Sequence, residues 1–172
     1  MKEDLSKTII IAVRKMMEKK LLKEVLSFPV PSHMAIIMDG NRRYARMMGK
    51  EPSVGHVMGK NKLNDILDWC KELNIKILTV YAFSSENLKR NKEEVNALMD
   101  LFEKSFREAG DDKRVHEYGI RIRAIGDRSI LPSRVVKAIE YAEERTKNYS
   151  SYFYNIAIGY GGRQEIINAV SR

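Results

Sequence analysis

Hydrophobic residues along this chain form short continuous runs that alternate with segments in which apolar residues recur every three or four positions. A short run bounded by polar or glycine-containing turns is typical of a buried strand, whereas the wider spacing is typical of a helix. Strands are predicted at 35–38, 75–84, 120–125 and 152–158, and helices at 55–74, 91–110, 132–142 and 164–170. This alternation predicts an α/β fold with a mostly parallel sheet and helices on both faces.

The first 26 residues also have helical periodicity, and the prolines within 28–31 end that helix because proline cannot continue one. The segment carries seven basic and four acidic residues. A basic amphipathic helix can lie on a membrane surface. The alternative is that it packs on its own domain or on a second copy of the chain. We therefore divide the chain into a basic amphipathic helix at 1–28 and a domain at 33–172.

The first predicted strand of the domain runs into the turn Asp39-Gly40-Asn41-Arg42-Arg43. Ligands of parallel sheets bind beyond the carboxyl ends of the strands, where Asp39 falls. Gly40 permits a positive φ or a close approach of the backbone to a ligand, and arginines are planar donors suited to phosphate. Because Mg²⁺ usually takes one or two carboxylates together with phosphate oxygens, the turn indicates a site for both. The alternative is that Asp39 caps the next helix and the arginines are only solvated.

Three polar turns follow predicted strands, at 39–43, 84–90 and 159–163, and they meet at one rim of the sheet if the strands are parallel. The charged residues that they bring together are Asp39, Arg42, Arg43, Glu86, Arg90 and Arg163. Charges from separate turns that meet at one rim are stronger evidence for a site than any one short motif.

Residues near the starts of two predicted helices add to this pattern. Gly55 and Gly59 indicate close approach between backbone segments. His56, between them, suits donation to a phosphate, and a structural hydrogen bond is the alternative. Asn91 and Glu94 have the spacing of a capping box at the start of helix 91–110, and Gly110 is expected to end that helix.

Composition narrows the classes of partner. A length of 172 residues predicts one domain, and the net charge of +8 favours phosphate esters, nucleic acid or an acidic membrane surface. No nucleic-acid motif occurs, so no nucleic acid is expected to bind. The single cysteine, Cys70, excludes an internal disulfide and is predicted to be buried. With neither a transmembrane run nor a secretory signal, we expect a cytoplasmic protein, with peripheral membrane contact through 1–28.

The chain also resembles a known family, the cis-prenyltransferases, which include undecaprenyl and dehydrodolichyl diphosphate synthases. The motifs that carry the resemblance occur in the family's order: 33–45, Gly55-His56, 81–87, Glu94-Val95 through Leu98-Met99, 125–127 and 161–163. They are most similar to those of archaeal and eukaryotic members. The family condenses isopentenyl diphosphate with an allylic prenyl diphosphate to make long polyprenyl diphosphates, the lipid carriers of glycosylation. The resemblance implies that function and an apolar tunnel between the sheet and the helices.

Roles for individual residues follow from the same resemblance. Asp39 is implied to be the catalytic carboxylate and the ligand of Mg²⁺, the expected cofactor. The loop 84–87 is implied to position substrate and assist proton removal, with Asn87 counted as catalytic. The residues implied to bind substrate are Gly40, Asn41, Arg42, Arg43, Tyr44, His56, Ser84, Ser85, Glu86 and Arg90. The expected partners are the two diphosphate substrates and a second copy of the chain in a homodimer.

The sequence departs from the family pattern at three places. Leu88 replaces an aromatic residue, Pro52 replaces an arginine of bacterial members, and the C-terminal R-x-x-x-R-x-S motif with its glutamate is absent. In the family, that C-terminal segment completes the site for isopentenyl diphosphate and Mg²⁺. We therefore expect a chain truncated at its C-terminus. The alternative function is a non-catalytic diphosphate-binding or accessory subunit that a partner chain completes.

Overall fold

The computed structural model describes the backbone of residues 2–171 and the side chains of residues 10–171 other than Asn168. Its strands are β1 (His33–Ile37), β2 (Ile77–Ser84), β3 (Ile120–Ile125) and β4 (Tyr152–Tyr160). Its α-helices are α1 (Lys2–Leu26), α2 (Asn41–Met47), α3 (Pro52–Glu72), α4 (Lys92–Asp111), α5 (Lys113–Glu117), α6 (Ser133–Thr146) and α7 (Gly162–Val170). Short 3₁₀ helices cover Ser85–Lys89 and Arg128–Ile130.

The four strands form one parallel sheet in the order β1-β2-β4-β3. Ile36 pairs with Val80, which pairs with Ile156 on β4. The predicted α/β fold with a parallel sheet is therefore confirmed. Because the strands are parallel, the ends of β1, β2 and β4 lie side by side at one rim.

Helices α3, α4 and α6 pack on the sheet face that carries Ile36, Val80 and Ile156. In the part of the chain described, the opposite face is only partly covered, whereas the sequence pattern placed helices on both faces. β1 was predicted to be buried, but it is an edge strand whose Ile37 is 74% exposed. That opposite face is polar at its centre, where His33 and Asn155 both hydrogen-bond to Thr79 Oγ1.

The core has two clusters that meet near Ala82 and Tyr154. The smaller cluster joins α3 to β1 and β2 and contains Cys70, which is buried as predicted; burial raises the pKa of its thiol. The larger cluster joins α4 and α6 to β3 and β4, with Met99 and Ile139 among its most buried members. The two clusters fix α3 and α4 side by side over the sheet.

Two local differences from the sequence prediction matter for the site. The turn after β1 continues directly into α2, a seven-residue helix that the pattern did not predict. Gly110 does not end α4, which runs on to Asp111. A Cβ at residue 110 would lie 3.1 Å from the Tyr141 ring, so glycine here allows α4 to pack closely on α6.

The predicted N-terminal helix is present as α1, and its described side chains, from residue 10 onward, are nearly all exposed. Within these described side chains it does not bury an apolar face on its own domain, and contact with a membrane surface or with a second copy of the chain stays a prediction. Basic and apolar side chains are interleaved around it, since Arg14 shares a face with Leu21 and Val25 at spacings of seven and eleven residues. In the described part of the chain, every helix is too short or too polar to cross a bilayer.

One buried hydrogen bond fixes α6 against the edge of β3, and it generates a test of the fold. Thr146, which is fully buried, accepts a hydrogen bond from the Ile122 backbone N–H and donates one to the Ala142 carbonyl. Thr146→Val leaves that N–H unpaired, so we expect a loss of about 1–3 kcal/mol in the free energy of unfolding. Urea denaturation measures the loss, and Thr146→Ser, which keeps the hydroxyl, should lose less. Equal losses in the two variants would contradict this account.

Candidate active site

The turn after β1 begins at the rim of the sheet. Met38 N–H donates to the Tyr81 carbonyl on β2, so the turn starts in register with its neighbour. Gly40 then adopts a positive φ of 86°, a conformation that few other residues tolerate. Its N–H donates to Asp39 Oδ1 at 2.6 Å. Gly40 thus makes the sharp turn that the sequence suggested, and α2 begins directly after it.

Helix α2 is held against α3 by contacts that only glycine permits. A Cβ at residue 55 would lie 2.2 Å from the Asn41 carbonyl oxygen, and one at residue 59 would lie 2.5 Å from Asn41 Oδ1. The Asn41 amide donates to the Met38 carbonyl at 3.4 Å. The predicted close approach at Gly55 and Gly59 is confirmed, and the partner is α2.

At the rim, one carboxylate oxygen lies close to nitrogen atoms of two guanidinium groups and one imidazole ring. Glu94 Oε1, in the first turn of α4, lies 3.1 Å from Arg90 Nη1, 3.2 Å from His56 Nε2 and 3.4 Å from Arg42 Nε. The Glu94 side chain is 10% exposed and that of His56 is 11% exposed. Glu94 therefore ties α2, α3 and the start of α4 together.

The pKa values of both buried partners are lowered. Burial lowers the pKa of His56, against the hydrogen bond to Glu94, so the imidazole is neutral at pH 7 and donates its Nε2–H. For Glu94, burial alone would raise the pKa, but the hydrogen bond from His56 and the charges of Arg42 and Arg90 outweigh it and lower the pKa. Glu94 is therefore a carboxylate at pH 7, held by two guanidinium groups.

A cavity of about 620 Å³ lies between the sheet and helices α3 and α4. Its rim end is polar and is lined by Asp39, Gly40, Arg42, Arg43, His56 and Arg90. Its interior is apolar and is lined by Leu67, Val80, Leu98, Phe102, Phe106 and Ile156, among others. At the far end Arg114 lies 3.3 Å from Asp68 on α3 and 2.8 Å from Asp112. The cavity thus joins a cationic mouth to an apolar interior.

Most of the residues that the sequence singled out line this cavity. Besides the rim residues just named, they include Asn41 and Asn87. Asp39 and Arg43 form an exposed ion pair, with Oδ2 and Nη2 3.2 Å apart. An exposed pair adds little stability, so both side chains are available to a ligand.

Four predicted substrate-binding residues do not line the cavity. Ser84 caps the 3₁₀ helix: its Oγ accepts from Asn87 N–H and its own N–H donates to Asn87 Oδ1, both at 3.2 Å. Ser84 therefore orients Asn87, which does line the cavity. Ser85 lies near Gly161 on the neighbouring turn, and Glu86 and Tyr44 are exposed.

The residue that sequence reasoning placed wrongly is Glu94. Its spacing from Asn91 suggested a capping box, but Asn91 Oδ1 accepts from Glu93 N–H, and the Glu94 side chain contacts Arg42, His56 and Arg90 instead. Because the capping-box spacing already explained Glu94 locally, nothing in the sequence pointed to its contacts with distant residues. The lining residues Arg46, Lys60 and Asn64 were also not singled out.

No group of three or more metal-ligating side chains occurs among the described residues. Asp39 nevertheless offers Mg²⁺ one exposed carboxylate, which lies beside arginines at the mouth of the cavity. Mg²⁺ commonly binds one or two carboxylates and takes its remaining oxygens from substrate phosphates and water. The donor set therefore suits Mg²⁺ that arrives with a phosphorylated substrate.

The fold and the site together define a class of protein: an α/β protein whose sheet rim presents cationic side chains beside an apolar cavity, an arrangement that suits an amphiphilic phosphate ester. Residues 37–172 match a family model described as "putative undecaprenyl diphosphate synthase". The chain belongs to that family, which is the family of cis-prenyltransferases.

Curated relatives carry the same family name. The chain is 58% identical over 153 residues to the tritrans,polycis-undecaprenyl-diphosphate synthase (geranylgeranyl-diphosphate specific) of Thermococcus kodakarensis. It is 53% identical over 160 residues to the enzyme of that name from Methanocaldococcus jannaschii. These matches cover 89% and 93% of this chain but 58% and 57% of the relatives. The chain thus spans under three fifths of the length of the relatives.

Solved structures agree with this assignment. Lavandulyl diphosphate synthase from Lavandula x intermedia, solved with dimethylallyl diphosphate, matches with a TM-score of 0.77 and 36% identity over 82% of this chain and 60% of that one. A probable undecaprenyl diphosphate synthase from Campylobacter jejuni matches with a TM-score of 0.68 and 34% identity over 84% and 62%. The archaeal likeness predicted from the sequence is confirmed by the curated relatives.

The lowered pKa values at the rim predict how stability depends on pH. A group whose pKa is lower in the folded than in the unfolded state loses its contribution as pH falls. For His56 this loss begins below its ordinary pKa of 6.5, and for Glu94 below 4.5. We expect His56→Gln, which keeps a donor but does not titrate, to flatten the stability curve just below pH 6.5. Urea midpoints across a pH series test this, and an unchanged slope in the variant would contradict it.

Proposed function

We propose that this protein is a cis-prenyltransferase that condenses isopentenyl diphosphate with an allylic prenyl diphosphate to make a long-chain polyprenyl diphosphate. One observation carries the proposal: a cationic mouth opens onto an apolar cavity of about 620 Å³ in a chain of this family. The mouth suits a diphosphate and the interior suits a prenyl chain. The apolar interior would be the predicted tunnel for the growing product.

Geranylgeranyl diphosphate is the allylic primer that we propose. The curated relatives from Thermococcus kodakarensis and Methanocaldococcus jannaschii are named as specific for it. Its apolar tail would lie among Leu98, Phe102 and Phe106 along α4. Its diphosphate would lie at the rim, beside the guanidinium groups of Arg43 and Arg90.

In the proposed reaction the C–O bond of the allylic primer breaks and a C–C bond forms to the terminal alkene carbon of isopentenyl diphosphate. Inorganic diphosphate leaves, and a proton is lost from the extended chain. Arg42, Arg43 and Arg90 would stabilise the charge that develops on the leaving diphosphate, and such preorganised charge is usually the largest catalytic contribution. Asn87, which Ser84 orients, is proposed to assist the proton loss.

Mg²⁺ remains part of the proposal, with Asp39 as the residue that would hold it. When bound, the ion would supply further positive charge to the diphosphate. The predicted homodimer and the predicted peripheral contact with a membrane are also proposals.

A second function would also account for the cationic mouth, because binding a diphosphate does not require condensation. A diphosphate-binding accessory subunit completed by a partner chain is therefore the alternative. Tight binding of geranylgeranyl diphosphate by calorimetry, without turnover in the presence of Mg²⁺, would favour this alternative.

Loss of the Asp39 carboxylate tests the enzyme proposal directly. With radiolabelled isopentenyl diphosphate, geranylgeranyl diphosphate and Mg²⁺, we expect chain extension by the full-length protein. Asp39→Ala should lower kcat at least about 100-fold, because charge stabilisation of this kind is typically worth that much. Asp65→Ala removes a carboxylate ion-paired with Lys62 on the surface of α3 and serves as the matched control. No extension at all, or equal rates in the two variants, would contradict the proposal.

A further inference from the structure

The segment 43–57, which we call the α2–α3 elbow, comprises most of α2, the connecting loop and the start of α3. It exposes an unusual number of large apolar side chains: Tyr44, Met47, Met48, Val54 and Val57. Met47 is 84% exposed, the most of any large apolar side chain described on the chain. Single exposed apolar residues are ordinary, but several in one short segment mark an interaction surface.

The elbow is also basic. Arg43, Arg46 and Lys50 are exposed within it, and Glu51 is its single acidic residue. Apolar side chains flanked by lysine and arginine are the combination that binds the surface of an anionic bilayer, where the apolar groups enter the interface and the cations face the headgroups. The same charge on a second copy of the chain would repel a symmetric partner at this surface.

The elbow is continuous with the mouth of the cavity, because Arg43 and Arg46 belong to both. An apolar ligand with a charged headgroup partitions into membranes, so a mouth placed at the bilayer surface shortens the path of its tail through water. The benefit to a ligand with an apolar tail rests on the proposed function, whereas the exposure and charge of the elbow do not.

We propose that the α2–α3 elbow is the surface through which this protein docks on an anionic membrane. The elbow would insert Met47, Met48 and Val57 at the interface and place the cavity mouth against the headgroups. Helix α1 is the competing surface, since it too is basic and exposed. None of its described residues lines the cavity, however, so docking through α1 would not by itself bring the mouth to the bilayer.

Flotation with lipid vesicles tests the proposal without any need for turnover. We expect the purified protein to float with phosphatidylcholine vesicles that contain phosphatidylglycerol, and not with pure phosphatidylcholine. Met47→Ser/Val57→Ser should lower the partition coefficient at least about tenfold, because two apolar groups lose their burial. Met16→Ser/Met17→Ser, at similarly exposed positions of α1, should bind as the unmodified protein does.

Three results would overturn the proposal: no flotation of the unmodified protein, equal flotation with both lipid compositions, or loss of binding in the α1 control while the elbow variant binds. A second measurement guards against misfolding of the variants. A polarity-sensitive fluorophore on Met47→Cys should shift to the blue on anionic vesicles, whereas one on Met16→Cys should not; native Cys70 is buried and stays unlabelled. Primer extension in detergent is assayed separately, so failure of either proposal leaves the other standing.

Discussion

One oxygen atom, Glu94 Oε1, lies within 3.4 Å of nitrogen atoms from three separate parts of the chain. Buried carboxylates are costly unless they are paired, and here two guanidinium groups and a neutral imidazole supply the pairing. Such an arrangement is weak evidence for added stability, because the desolvation of the charges offsets their attraction. Its consequence is positional: Arg42 and Arg90 are held at the mouth of the cavity.

The rest of the fold brings these groups within reach of one another. Parallel strands place the turns after β1 and β2 side by side, and the positive φ of Gly40 turns the chain directly into α2. Gly55 and Gly59 allow α3 to touch Asn41, which brings His56 towards Glu94. The two core clusters then fix α3 and α4 side by side over the sheet, where both helices line the cavity. The cationic rim and the apolar interior thus arise from the same packing.

Structural features that depend on residues close together in the chain were predicted well from the sequence. The four strands, the positive φ of Gly40 and the meeting of the turns after β1 and β2 follow from hydrophobic runs and glycine positions. Glu86 and Arg163, which were expected at the same rim, do not line the cavity. Contacts between distant residues were harder to predict: α2 is only seven residues long and is stabilised by packing on α3, and Glu94 matched a capping motif that it does not form. The partly exposed face of the sheet, including Ile37, was not predicted because an apolar run looks the same in an edge strand and a central one.

The most direct test of this account is the affinity of inorganic diphosphate for Glu94→Gln, measured by calorimetry beside Glu18→Gln, an exposed control on α1. If Glu94 fixes the arginines, the variant should bind diphosphate at least about tenfold more weakly, because small misplacements of binding groups are costly. If Glu94 only neutralises positive charge, its removal should leave binding unchanged or make it tighter. That second result would contradict the account.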